Sequence, residues 1–165
     1  MNKKGFTLIE LLVVMGIIAI LLSLIVPMTA KAKQKARIAK AKTEISALET
    51  AISAYYGDMG HYPTDNTSNA NETSNTIIIK HLSGRTGGTG AYDNTIVNNA
   101  DWNGPYMEFD ADQIVGGNFV DPWGNAYTIE IDLDGDTSTT PPTNNALSFD
   151  ISSNGPSGGS AITNY

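Results

Sequence analysis

The chain has 165 residues, with 17 acidic against ten basic side chains, a net charge of −7 and no cysteine. That length suffices for one modest domain beside a long terminal helix, and the lack of cysteine excludes disulfides, thiolate metal sites and cysteine nucleophiles. Charge is divided: residues 1–42 hold eight Lys/Arg and one acid (+7), and residues 43–165 hold two against sixteen (−14), so no nucleic acid is expected on the distal part.

A basic leader, Met1-Asn2-Lys3-Lys4-Gly5, precedes the run FTLIELLVVMGIIAILLSLIV at 6–26, whose single ionisable residue is Glu10. Twenty-one helical residues rise about 30 Å, the thickness of a bilayer's hydrocarbon core. A conventional signal peptide fits poorly, because A-x-A spacing first occurs at Ala30-Lys31-Ala32, with a lysine inside. A plain membrane anchor leaves Glu10 unexplained, since a carboxylate in lipid is costly without a partner. Cleavage after Gly5 with the apolar run retained explains both. Phe6 would then carry a free α-amine, and Glu10 lies one helical turn on, able to neutralise its own terminus or a neighbour's.

Pro27 removes a backbone donor and crowds the carbonyl of Ser23, so a bend is expected there. Helical propensity resumes at once. Ile38, Ala41, Ile45, Leu48, Ile52 and Tyr55 recur at alternating spacings of three and four, a narrow apolar stripe for packing on a following domain. Gly57 is the expected stop, and residues 6–56 would reach about 75 Å as one helix. The cations Lys31, Lys33, Lys35, Arg37, Lys40 and Lys42 fall just beyond the apolar run. They suit anionic headgroups, acidic neighbours in an assembly, or a solvated helix face.

The exit at 55–65 is turn-rich, with Gly57, Gly60 and Pro63, and His61 reads as a surface or packing residue. Residues 64–100, rich in Asn, Thr, Ser and Gly, read as a long variable loop. Within it, Ile77-Ile78-Ile79 followed by Lys80-His81-Leu82 forms a short helix or strand. The segments AYTIEI (126–131) and ALSFDI (146–151) carry strand patterns, and a small antiparallel sheet against the helix follows. No nucleophile–base pair, nucleotide loop or redox residue points to catalysis. The fold class is α+β. Its expected parts are a leader at 1–5, a membrane-spanning and assembly half-helix at 6–28, an amphipathic half at 29–57 and a globular part at 58–165.

Asp132-x-Asp134-Gly135-Asp136 sets three acids in one turn. Hard cations such as calcium take several oxygens at flexible geometry, and the acids repel one another without a cation. The spacing is not that of an EF-hand, because Gly135 falls two positions early and Thr143 stands at the terminal glutamate position. A solvent-exposed acidic hairpin loop is the simpler account. Residues 152–159 offer hydroxyls, an amide and carbonyls as further donors.

The string Gly5-Phe6-Thr7-Leu8-Ile9-Glu10, the apolar run and Pro27 resemble the N-terminal module of type IV prepilins and type II secretion pseudopilins. Tyr62-Pro63, Gly104-Pro105-Tyr106 and Asp121-Pro122-Trp123-Gly124-Asn125 with Tyr127 are similar in order to the major pseudopilin of type II secretion. The resemblance implies a pilin-like fold, a long N-terminal helix packed on a small antiparallel β-sheet. It also implies cleavage between Gly5 and Phe6 by a prepilin peptidase that N-methylates Phe6, and assembly guided by Glu10. Calcium would hold the C-terminal loops, near Asp132, Asp134 and Asp136, with Ser157 a further candidate at a position where related sequences often place an acid.

The implied subunit polymerises with itself and with minor pilin-like subunits on an inner-membrane assembly platform to drive protein export. Its N-terminus would be cytoplasmic, because the processing motif must face the peptidase, although the cations at 31–42 oppose that orientation. Its globular part would be periplasmic, and its helix would contact membrane lipid. The alternative is a type IV or competence-type pilin with a surface-binding role, favoured by the length of the 64–100 segment.

Overall fold

The computed structural model describes residues 6–65, 73–131, 149–157 and 159–164. They divide into two units, Met1–Arg37 and Ile38–Tyr165. Helix α1, Leu8–Met59, contributes to both and continues through Pro27. In the first unit its apolar residues are solvent-facing: Leu8 is 82% exposed and Ile20 66%. This helix is long and apolar enough to cross a membrane.

In the second unit α1 is amphipathic, as its spacing requires. Ala41, Ile45, Leu48, Ile52 and Tyr55 are buried, and Ile38 packs against them partly covered. The helix does not stop at Gly57. It runs to Met59 and ends where Gly60 adopts φ 72°, its N–H donating to the Tyr56 carbonyl at 2.9 Å. A glycine supplies this left-handed cap at no Cβ cost; Gly57 is a tolerated helical residue.

The segment expected as a long loop contains helical structure. Helix α2, Asn75–Ser83, starts at Ser74, whose side chain accepts from the Ile77 N–H, and ends at Gly84 in the left-handed region. Its Ile78, Ile79 and Leu82 are completely buried, which is why the apolar island is helical: a three-and-four repeat puts these residues on one face. Gly84 is also sterically required, since a Cβ there would stand 2.7 Å from Val97 Cγ1 and 2.8 Å from the Trp102 ring. The short helix α3, Asn94–Val97, follows, capped by Asp93.

Strands β1 (Ile114–Val115) and β2 (Asn118–Phe119) form a two-stranded hairpin. Its turn, Gly116-Gly117, has both residues at positive φ, as the tight hairpin turn demands. A second sheet has the order β3-β4-β5: Thr128–Ile131, Phe149–Ser153 and Ile162–Thr163, all antiparallel. The register opposes Ile129 to Ile151 and Glu130 to Asp150. The expected strands at 126–131 and 146–151 are thus present as Thr128–Ile131 and Phe149–Ser153, with 146–148 outside the described residues. Ser152 and Ser153 belong to β4 and are not loop donors. One core joins the α1 stripe, α2, Phe109, Phe119, Tyr127 and the isoleucines of β3 and β4.

Candidate functional site

The first turn of α1 is organised by two side chains. Thr7 is the residue before the helix, and Glu10 is its third. The Thr7 N–H donates to Glu10 Oε2 at 2.8 Å, and Thr7 Oγ1 donates to the same oxygen at 2.7 Å. In return, the Glu10 N–H donates to Thr7 Oγ1 at 3.3 Å. This reciprocal arrangement is a capping box, and it places a negative charge where the helix N-terminus carries partial positive charge. Glu10, singled out by its isolation in an apolar run, therefore also has a local partner. The T-x-x-E spacing was the available signal for it.

Phe6 precedes this box and is 84% exposed; Gly5 lies outside the described residues. From Leu8 to Leu22 the helix exposes an almost uninterrupted aliphatic surface, including Leu11, Leu12, Ile17 and Leu21. A surface this apolar requires lipid or other apolar helices around it. Phe6 and Glu10 are thus brought together at one end of an unpartnered aliphatic rod. Pro27 is part of the helix but belongs neither to the box nor to the described side chains.

Three polar clusters among the described residues of the globular unit bear on its packing. Glu44, on the buried face of α1, accepts from Tyr127 Oη at 2.6 Å and from Gln113 Nε2 at 3.1 Å, with Lys40 Nζ at 3.6 Å. Burial, then the Glu44 carboxylate, pushes the Tyr127 phenol far above its ordinary range. Asn75 donates to the Phe119 and Tyr127 carbonyls at 3.1 and 2.7 Å and accepts from the Phe119 N–H at 2.8 Å. Its amide thereby ties α2 to the backbone of Phe119 and Tyr127, where the Phe119 carbonyl also accepts from the Tyr127 N–H at 3.0 Å.

Asp121 closes the D-P-W-G-N turn. Its Oδ1 accepts from the Trp123 and Asn125 N–H groups, both at 2.9 Å, and its Oδ2 accepts from Ser153 Oγ at 2.6 Å. The C-terminal segment therefore packs on this turn, with Asn125 Nδ2 also donating to the Gly155 carbonyl.

A third cluster links Tyr55 Oη to His81 Nδ1 at 3.0 Å and His81 Nε2 to Asp65 Oδ1 at 2.9 Å, with Lys80 bonded to the other Asp65 oxygen. Burial lowers the His81 pKa, outweighing Asp65, which acts to raise it. Burial acts to raise the Asp65 pKa, but its bonds to Lys80 and His81 prevail and hold it below the ordinary value. Tyr55 is 1% exposed, so this chain of bonds is closed to any substrate at the tyrosine end. His61, outside the cluster's bonds, is exposed and contacts the Tyr62 carbonyl through Nδ1 at 2.9 Å.

Asp132, Asp134 and Asp136 lie outside the described residues. Ser157 is exposed in a turn. Among the described residues, no group of three or more acids or histidines could hold a metal.

Residues 1–26 match a family model described as the prokaryotic N-terminal methylation motif, and residues 28–78 match one described as type II secretion system protein G. The N-terminal part of the chain is thus similar to the pseudopilin family. The chain is 48% identical over 65 residues to the type II secretion system core protein G of Escherichia coli, a match covering 39% of the chain and 45% of the relative. It is also 48% identical over 63 residues to core protein G of Vibrio cholerae, covering 38% and 43%. The type IV major pilin protein PilE of Neisseria gonorrhoeae is 34% identical over 80 residues, covering 48% of each chain. The chain thus spans less than half the length of the curated relatives it matches. No solved structure matches it. The match to the methylation motif covers Phe6, Thr7 and Glu10.

Proposed function

We propose that this chain is a pseudopilin, the major structural subunit of a type II secretion pseudopilus, polymerising through its N-terminal helix to drive protein export. The observation that carries this reading is the exposed aliphatic helix from Leu8 to Leu22 headed by the Thr7–Glu10 box, in the segment that matches the N-terminal methylation motif. Cleavage between Gly5 and Phe6 creates a cationic terminus beside the box. A carboxylate has about four acceptor positions, and Oε2 accepts two bonds from Thr7, so Glu10 retains capacity for the α-ammonium of its own or a neighbouring copy. Side-by-side stacking of such helices repeats without closing, which yields a filament.

In this reading the N-terminus is cytoplasmic, the helix crosses the inner membrane and the globular unit is periplasmic. A prepilin peptidase processes the chain, and a membrane platform with minor pilin-like subunits assembles it. Calcium at Asp132, Asp134 and Asp136, with Ser157 as a further oxygen, belongs to the same proposal and rests on the spacing of those acids.

The test is deletion of the gene followed by fractionation. Loss of exoprotein release without loss of sheared surface fibres is the expected outcome. Normal release together with lost surface fibres would overturn the secretion role in favour of a type IV pilin, a reading supported by the weaker likeness to the gonococcal pilin.

A further inference from the structure

Four cations follow the apolar run within the first unit: Lys31, Lys33, Lys35 and Arg37. All four are exposed, and none belongs to an ion pair among the described residues, whose pairs involve Lys40, Lys80 and His81. No acid lies between Glu10 and Glu44. At about 100° per residue, Lys31 and Lys35 share one side of α1, and Lys33 and Arg37 share the side roughly opposite. The charge therefore encircles the helix and does not form a stripe. A single protein partner contacts one face of a helix, whereas a headgroup layer surrounds it.

We propose that this collar binds the phosphodiester headgroups of anionic phospholipid on the membrane face away from the leader, fixing the depth at which the subunit waits before assembly. The inference rests on the membrane-spanning reading of 6–26. From the end of that run, Lys31 is about 8 Å along the axis and Arg37 about 16 Å. Lys31 thus stands at headgroup level, and the others lie within roughly one further Debye length at physiological salt. Long cationic side chains reach back toward the surface from such positions. The intervening alanines Ala32 and Ala36 leave the phosphates unobstructed.

The test uses the full chain moved from detergent micelles into vesicles of phosphatidylcholine, alone or mixed with phosphatidylglycerol. The wild-type chain is expected to partition into the mixed vesicles at least about tenfold better, an advantage removed by high salt. The combined Lys31→Gln, Lys33→Gln, Lys35→Gln and Arg37→Gln variant is expected to lose that advantage while entering neutral vesicles normally; glutamine keeps the helix propensity. Equal partition of wild type and variant into mixed vesicles would overturn the collar's role. So would a variant that keeps its lipid preference but no longer forms filaments, because the cations would then serve a second copy. A wild-type chain that enters neither vesicle would instead overturn the membrane-spanning reading itself.

Discussion

Tyr127 donates its phenolic hydrogen to Glu44 across 2.6 Å, joining a residue beside β3 to the buried face of α1. The two are 83 positions apart in the chain. Removing the hydroxyl leaves a buried carboxylate oxygen without its shortest bond, a loss that exceeds the worth of an average hydrogen bond. Tyr127→Phe is therefore expected to destabilise the full-length chain by about 1–3 kcal/mol, read as a lower denaturation midpoint in detergent solution. A midpoint unchanged from wild type would show that Glu44 is satisfied without it.

Asn75 acts as a piece of strand made from a side chain. Its three bonds reach the Phe119 N–H and the Phe119 and Tyr127 carbonyls. Asn75→Leu keeps the volume but takes the side-chain partner from the Phe119 N–H and the Tyr127 carbonyl, while the Phe119 carbonyl keeps its bond from the Tyr127 N–H, and a loss of roughly 2–4 kcal/mol is expected. Asn75→Asp would keep the acceptor while losing the donor, so it should fall between leucine and wild type in a chemical denaturation series.

Titration of the Tyr55–His81–Asp65 cluster sets an acid sensitivity. His81 has a folded pKa below the ordinary 6.5 because burial disfavours its charged form. On acidification the unfolded chain takes up the proton first, so stability is complete above that ordinary value and declines as pH falls from it toward the folded pKa. Asp65 adds a second loss of the same sign below 3.8, as its lowered folded pKa is crossed. A melting-temperature profile should show the upper limb for wild type and lack it for His81→Gln. An upper limb that survives the substitution would assign it to another group.

Glu10 has two separable duties. Glu10→Ala removes both the box and the charge, whereas Thr7→Ala removes the cap and keeps the carboxylate. The cap is worth about 1 kcal/mol to the helix end, too little to abolish assembly. We expect both variants to be processed, with filament yield falling strongly only for Glu10→Ala. Mass spectrometry of the N-terminus and pelleting of sheared filaments measure the two steps, and equal filament loss in both variants would make the capping geometry the decisive property.

The proposed calcium is tested by chelation. With EDTA the melting temperature of the chain should drop, and added calcium should restore it, since a ligand that binds only the folded state stabilises by mass action. Superimposable melting curves would remove calcium from the account.

Local patterns were readable because they depend on neighbours a few residues away. The apolar stripe from Ile38 to Tyr55 follows from the helical repeat alone, and each member meets the core. The T-x-x-E box at Thr7 and Glu10 is just as local, but the sequence was read there only for the isolated charge of Glu10. The strands around 129 and 151 were visible in their branched and aromatic residues, but their ends were not, because pairing decides where a ladder stops. The apolar island at 77–82 was readable as a helix or a strand inside a loop-like composition, and the core that buries Ile78, Ile79 and Leu82 decided for the helix.

By itself the sequence determined the membrane-length apolar rod, its lone acid at Glu10, and the amphipathic continuation, since length, period and charge are properties of contiguous residues. Only the tertiary structure decided that Glu44 is a core residue held by Tyr127, that Asn75 completes the backbone of a distant strand, and that Asp121 pins the C-terminal segment through Ser153. Those roles join groups 32 to 83 residues apart. A buried polar group is tolerated only where such distant partners converge, and no pattern of neighbouring residues carries that information.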